Sequence, residues 1–168
     1  MGERIDGKDI AKRMRAEVAA GVKALGGAAP KLVAVAVGHD ESSAAYTRSQ
    51  AKTAAKVGID YELDELPEDT DQDGLRRRIA ELAEDEAVTG IILQTPLPTH
   101  IDMGAARDMI PSGKDVEAIG ATATGHLVQN RYQTAPCTAL AAISCLKAAV
   151  GDDLSGLDVV VIGRSDIV

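Results

Sequence analysis

The sequence predicts an α/β fold: a three-layer domain with a mostly parallel sheet, followed by the opening of a second domain. Three observations carry this reading. Short apolar runs without alternation occur at residues 32–37, 88–93 and 157–163, as expected of strands covered on both faces. The segments between them carry apolar residues at helical spacing, and Gly, Pro or Asp stands at most junctions. Strands that alternate with helices imply parallel strands joined by right-handed crossovers.

The elements follow in order. Ile10, Met14, Val18, Val22 and Leu25 form the stripe of an amphipathic helix ending at Gly26-Gly27. Pro30 opens the first strand, and Gly38-His39-Asp40 is a turn. A second helix is expected to start near Ser42-Ser43, whose hydroxyls can accept its first amide hydrogens, and to run to Val57-Gly58. Residues 59–63 read as a strand. Thr70 and Asp73 bracket the start of a helix with Leu75, Ile79 and Leu82 on one face, and residues 88–93 form the next buried strand. A helix over 102–109 is closed by Pro111. Residues 112–135 read as an irregular polar loop, long enough for a binding role. An Ala-rich helix over 138–149 precedes the last buried strand, 157–163, which turns at glycine.

Composition narrows the function classes. Eighteen basic against 26 acidic residues give a net charge of −8, which opposes binding to nucleic acid or anionic membrane. The densest basic run, Arg76-Arg77-Arg78, is flanked by Asp73 and Glu81 and reads as a solvated helix face. Cys137 and Cys145 have neither CxxC spacing nor a neighbouring histidine, so no zinc site or disulfide scaffold is indicated, and a reducing cytoplasm fits. The three histidines, His39, His100 and His126, are scattered and read as solvent or hydrogen-bonding residues. No apolar stretch is long enough for a bilayer, and the N-terminus has no signal core.

In doubly covered parallel sheets, ligands gather beyond the carboxyl ends of the strands. That directs attention to Gly38-His39-Asp40 and to Gln94-Thr95-Pro96-Leu97-Pro98. Ile5-Asp6-Gly7-Lys8, residues 30–38, Ser43-Ala44-Ala45-Tyr46, residues 90–101, Lys114-Asp115-Val116, Gly125-His126-Leu127, Pro136-Cys137-Thr138 and Gly163-Arg164-Ser165-Asp166-Ile167-Val168 occur in an order that resembles the bifunctional methylenetetrahydrofolate dehydrogenase/cyclohydrolase family. The most specific are Leu93-Gln94-Thr95-Pro96-Leu97-Pro98-Thr99-His100-Ile101 and the terminal Gly-Arg-Ser-x-Ile-Val, because no general structural rule demands them.

The resemblance implies a folate-binding catalytic domain over 1–138, then a linker helix and the first strand of a Rossmann domain over 139–168. That second domain is apparently incomplete, so the chain reads as a piece of a longer protein. The implied cofactor is NADP, with NAD as the alternative, the implied partner a tetrahydrofolate derivative, and the implied assembly a homodimer. Thr138, Gly163, Arg164 and Ser165 are the implied cofactor contacts. Tyr46, Ser49, Gln94, Pro96, Leu97 and Glu117 are the implied substrate contacts, and Tyr46, Gln50 and Gln94 the catalytic set.

Gln50 departs from the pattern. The family's Tyr-x-x-x-Lys pair falls on Tyr46 and Gln50, whose spacing puts both on one helix face. In the family the lysine works with the glutamine, here Gln94, to manage protons while water attacks the methenyl carbon. An amide does not titrate near neutrality, so Gln50 cannot act as acid or base. Cyclohydrolase activity is therefore expected to be weak or absent. Dehydrogenase chemistry can survive, because the cofactor carries it. Lys52 points away from the Tyr46 face, and Lys56 lies roughly 15 Å along the axis at 1.5 Å per residue.

Three further departures fall where the family holds folate: Glu117-Ala118 for Asp-Gly, Ala123 for Asn, and Ala139-Leu140-Ala141 for Pro-x-Gly. They leave open a same-fold enzyme for another reduced pterin, or a non-catalytic binding module. Read without the resemblance, Tyr46 is a half-buried structural tyrosine and Gln94 a loop residue. Lys114-Asp115 is a surface ion pair, with Asp115 structural and Glu117 nearer to ligand binding, and Cys137 is a small packed side chain.

Overall fold

In the computed structural model the described residues are 5–163 and 165, with the Ser42 side chain outside that description. Among them are three strands and six helices: α1 Gly7–Ala24, β1 Lys31–Val37, α2 Glu41–Val57, β2 Asp60–Leu66, α3 Gln72–Glu84, β3 Val88–Leu93, α4 Met103–Arg107, α5 Ala121–Val128 and α6 Cys137–Val150. The sheet is wholly parallel in the order β2-β1-β3. The first crossover moves to one side of β1 and the second to the other, so right-handed connections put α2 and α3 on opposite faces.

Strand alternation sorts the side chains accordingly. Val33, Val35 and Val37 of β1 join Ile91 and Leu93 of β3 and Leu75, Ile79 and Leu82 of α3 in one buried cluster. The other face of β1 presents Leu32, Ala34 and Ala36, in register with Tyr61, Leu63 and Glu65 of β2. Small alanines there let α2 lie close, with Ala54 and Val57 buried. Gly38 ends β1 in the left-handed region (φ 72°), with the Glu68 side chain 3.2 Å from where a Cβ would stand. A side chain there would meet both strain and a neighbour.

Several expectations need correction. Asp40, not the serines, caps α2: its carboxylate accepts from the Ser43 amide at 2.8 Å, while the Ser43 hydroxyl donates back to the Asp40 carbonyl at 3.0 Å. A carboxylate one position outside the helix outcompetes hydroxyls already inside it. Residues 112–135 are not wholly irregular, since they contain α5. That helix has no side-chain cap of its own; Asp108, 13 residues earlier, accepts from the Ala121 amide at 2.7 Å. A cap supplied from so far away leaves no local signal.

Residues 157–163 form no buried strand. They pair with none of the three strands, and Val160 and Ile162 are 85% and 94% exposed. An apolar run becomes a buried strand only where neighbours supply backbone partners on its edges. The α1 stripe is real, but none of its residues is fully buried, because α1 packs on α2 and α6 rather than on the sheet. Arg78 is not solvated with its two neighbours: it bridges Asp64 of β2 at 2.5 Å and Glu81 at 2.9 Å, tying α3 to the sheet edge.

Gly90 of β3 lies beside the segment carrying Lys114 to Ala118, which adds to the sheet edge through a parallel bridge between Ile91 and Asp115. A Cβ at Gly90 would collide with Cγ1 of Val116 and stand 3.2 Å from Leu32. Gly90→Ala is expected to lower unfolding free energy by about 1–3 kcal/mol, the usual cost of overpacking around a stiff β-branched neighbour. Urea denaturation measures it; an unchanged midpoint would mean that Val116 moves aside freely.

Candidate functional site

Position on the sheet assembles the site. Gln94 directly follows β3, where its backbone N–H donates to the Val35 carbonyl at 2.8 Å. Counting by twos from Gly90 and Ile92, its side chain falls on the α2 face. There it is only 6% exposed, and its Nε2 donates to Oε1 of Gln50 at 2.8 Å. The same Gln50 oxygen accepts from the Tyr61 hydroxyl at 3.1 Å. One carbonyl oxygen thus holds one donor from β2 and one from the residue that follows β3, and α2 is pinned to both.

Tyr61 is the residue that sequence reasoning missed. It lies 11 positions from Gln50 and belongs to no motif; only the β2 register with Leu32 turns it toward α2. Burial raises its pKa above the ordinary 10.0, and the nearby Tyr46 raises it further. The phenol therefore keeps its proton at neutral pH and acts as a donor. Tyr46, one turn before Gln50, is 60% exposed rather than half-buried, and Ser49 is exposed as well. Lys52 and Lys56 are both exposed.

The other implied residues divide. Pro96 follows a cis Thr95–Pro96 bond and is exposed, whereas Leu97 packs partly against the α3 core cluster. Leu97 also lines a cavity of about 530 Å³ with Pro98, Thr99, His100, Glu68 and Asp69. Glu117 is half-buried in the turn that follows the isolated Ile91–Asp115 bridge, where the Ala118 amide donates to the Asp115 carbonyl at 3.4 Å. Ala118 follows at φ 53°, a left-handed conformation that glycine adopts without strain and alanine does not.

Lys114 and Asp115 do not pair. The Lys114 ammonium donates to the carbonyls of Leu82 (3.0 Å) and Asp85 (2.7 Å). Asp115 is buried and its Oδ2 accepts from the Gly120 amide at 2.9 Å. Both are structural, holding the loop on which Glu117 sits. Cys137 is exposed rather than packed, its thiol 3.8 Å from the Val116 carbonyl. His39 lies 3.3 Å from Glu65, His100 2.9 Å from the Thr70 carbonyl, and His126 is exposed. Thr138 is exposed in the first turn of α6 and Gly163 lies in the unpaired terminal segment, while Arg164 falls outside the described residues. No described helix is long and apolar enough to cross a membrane.

Fold and cluster together define an α/β domain with a parallel sheet and a polar cluster joining α2 to the start of β2 and the carboxyl end of β3. Residues 5–117 match the family model described as tetrahydrofolate dehydrogenase/cyclohydrolase, catalytic domain, and the chain belongs to that family. It is 43% identical to the bifunctional protein FolD of Rhodopirellula baltica over 98% of this chain and 58% of that one. Among solved structures it resembles the Campylobacter jejuni bifunctional FolD enzyme, with TM-score 0.88, 33% identity, and 97% and 58% of the two chains covered. The Trypanosoma brucei dehydrogenase-cyclohydrolase, solved with NADP cofactor and an inhibitor, gives TM-score 0.88 and 35% identity over 99% and 58%. The chain spans a little over half the length of the relatives it matches.

Burial raises the Glu117 pKa above its ordinary 4.5, Asp115 raises it further, and Arg107 opposes both. Between 4.5 and the raised folded value, the folded chain holds a proton that the unfolded chain releases, so stability falls as pH rises through that window. Chemical unfolding across a pH series should therefore show the unmodified chain losing stability relative to Glu117→Gln as pH increases. A difference that stays constant with pH would mean that the carboxyl titrates normally.

Proposed function

We propose that this chain is the folate-binding part of a methylenetetrahydrofolate dehydrogenase with weak or absent methenyltetrahydrofolate cyclohydrolase activity. The division at residue 138 and the homodimer belong to the same proposal. The observation that carries it is the Gln50 cluster. Where the family uses an amine, this chain has an amide bonded to a second amide and a phenol, and none of the three groups titrates near neutrality.

Hydrolysis of the methenyl bridge needs a proton removed from attacking water and another delivered as the ring opens. The cluster can hold the folate but cannot move those protons. Oxidation of the methylene bridge asks less of the protein, chiefly that the donor carbon be held in place. Tyr46 would form a wall against the pterin or aminobenzoyl ring, Gln50 and Gln94 would supply hydrogen bonds, and Glu117 would accept from the pterin's amino and ring nitrogens. NADP, the proposed hydride acceptor, carries the redox chemistry itself. The described residues form no strand-glycine-helix cradle for a dinucleotide: residues 157–163 are unpaired. Within this proposal the described residues supply the folate side of the reaction.

A second reading, a same-fold protein for a different reduced pterin, is favoured by Glu117, whose extra methylene shifts the carboxylate relative to the family's aspartate. Calorimetric titration with tetrahydrofolate separates the two, since the second reading predicts no heat. Methenyltetrahydrofolate hydrolysis by the chain should stay near the uncatalysed rate, and Gln50→Lys should raise it by about 10²–10⁴-fold, the usual worth of general acid-base assistance. Brisk hydrolysis by the unmodified chain would defeat the proposal.

A further inference from the structure

Residues 112–135 enclose a second polar recess, a cavity of about 280 Å³ lined by Ser112, His126, Arg131, Tyr132, Gln133 and Thr134. None of Tyr46, Gln50, Gln94 or Glu117 lines it, and no carboxylate does. Backbone turns build it. Asn130 takes a left-handed conformation (φ 55°), and the Arg131 N–H then donates to the His126 carbonyl at 2.8 Å. That reversal brings the chain after α5 back beside His126. Ser112 stands in a turn of its own, where the backbone N–H groups of Lys114 and Asp115 donate to the Pro111 carbonyl at 2.8 and 3.0 Å. The recess is therefore shaped before any ligand enters, which lowers the cost of binding.

A cation near a helix C-terminus commonly answers the carbonyls left open there. Here the carbonyls of Gly125, His126 and Leu127 already accept from the backbone N–H groups of Gln129, Arg131 and Asn130. Among the described residues, the side chains of Arg131, His126 and Tyr132 have no hydrogen-bond or ion-pair partner. A guanidinium presents a planar fork of donors that matches the oxygens of a carboxylate or phosphate. We propose that this cavity binds a small oxyanion, a carboxylate or phosphate group, gripped by Arg131 and supported by the hydroxyl and amide donors of Ser112, Tyr132, Gln133 and Thr134. His126 adds a ring N–H in either charge state. The volume falls just below the roughly 300 Å³ at which sites for drug-sized ligands begin, so the cavity suits a small anion or the anionic end of a larger molecule. The site stands independently of the folate reading, since it shares no residue with the Gln50 cluster.

Heteronuclear NMR titration of the full chain with inorganic phosphate, and separately with glutarate, tests the proposal at fixed ionic strength, with sodium chloride as the control. At least one of the two should give saturable shifts centred on residues 112, 126 and 131–134, and the one that saturates at lower concentration assigns phosphate or carboxylate as the group recognised. Arg131→Gln should weaken that binding by about tenfold or more, the worth of hydrogen bonds to a charged group. Arg131→Lys keeps the charge but loses the fork, and should weaken it by about threefold or more. Arg76→Gln, an exposed change on α3, should leave it unaltered. Shifts that chloride reproduces, that fail to saturate with both anions, that survive Arg131→Gln, or that weaken equally in Arg76→Gln overturn the proposal.

Discussion

β1 is the constraint on which the rest depends. It is the middle strand of three, so both its edges are hydrogen-bonded and both its faces are covered. Its valines face α3 and its alanines face α2, and this difference in bulk sets how near each helix approaches. Because β2 and β3 both register on β1, one residue's slip in either pairing would move Tyr61 or Gln94 to the wrong face. The candidate site is thus a consequence of sheet register, and the core that fixes the register also aims the polar side chains.

The polar cluster inherits that rigidity. Gln94 is nearly buried, Gln50 is half-buried, and each buried donor or acceptor left unpaired would carry a desolvation penalty. Their mutual bond removes most of it. The exposed Tyr46 then stands one helical turn above a fixed polar floor. An arrangement of two amides and a phenol is better suited to accepting and donating hydrogen bonds than to moving protons. On the loop beyond the sheet edge, partial burial of Glu117 disfavours its charge.

The loop carrying Glu117 is kept in place by groups of no chemical role. Lys114 is tied to two carbonyls at the end of α3, Asp115 to the Gly120 amide, and Asp108 caps α5. Such bonds join positions far apart in sequence, so the loop's shape reflects what it lies against.

The sequence alone determined the elements whose signal is local. The valine-rich strand, the Leu75-Ile79-Leu82 helix and the 88–93 strand each carry their burial in their own residues, and the motif around Gln94 was readable with the change at Gln50. Tertiary structure decided the rest. It gave the α2 cap to Asp40, built α5 with a distant aspartate, left 157–163 unpaired where apolar character alone suggested a strand, and brought Tyr61 to Gln50. The reason is common to all four. A hydrogen bond between distant residues, or a missing strand partner, is a property of the folded arrangement and leaves no periodicity along the chain.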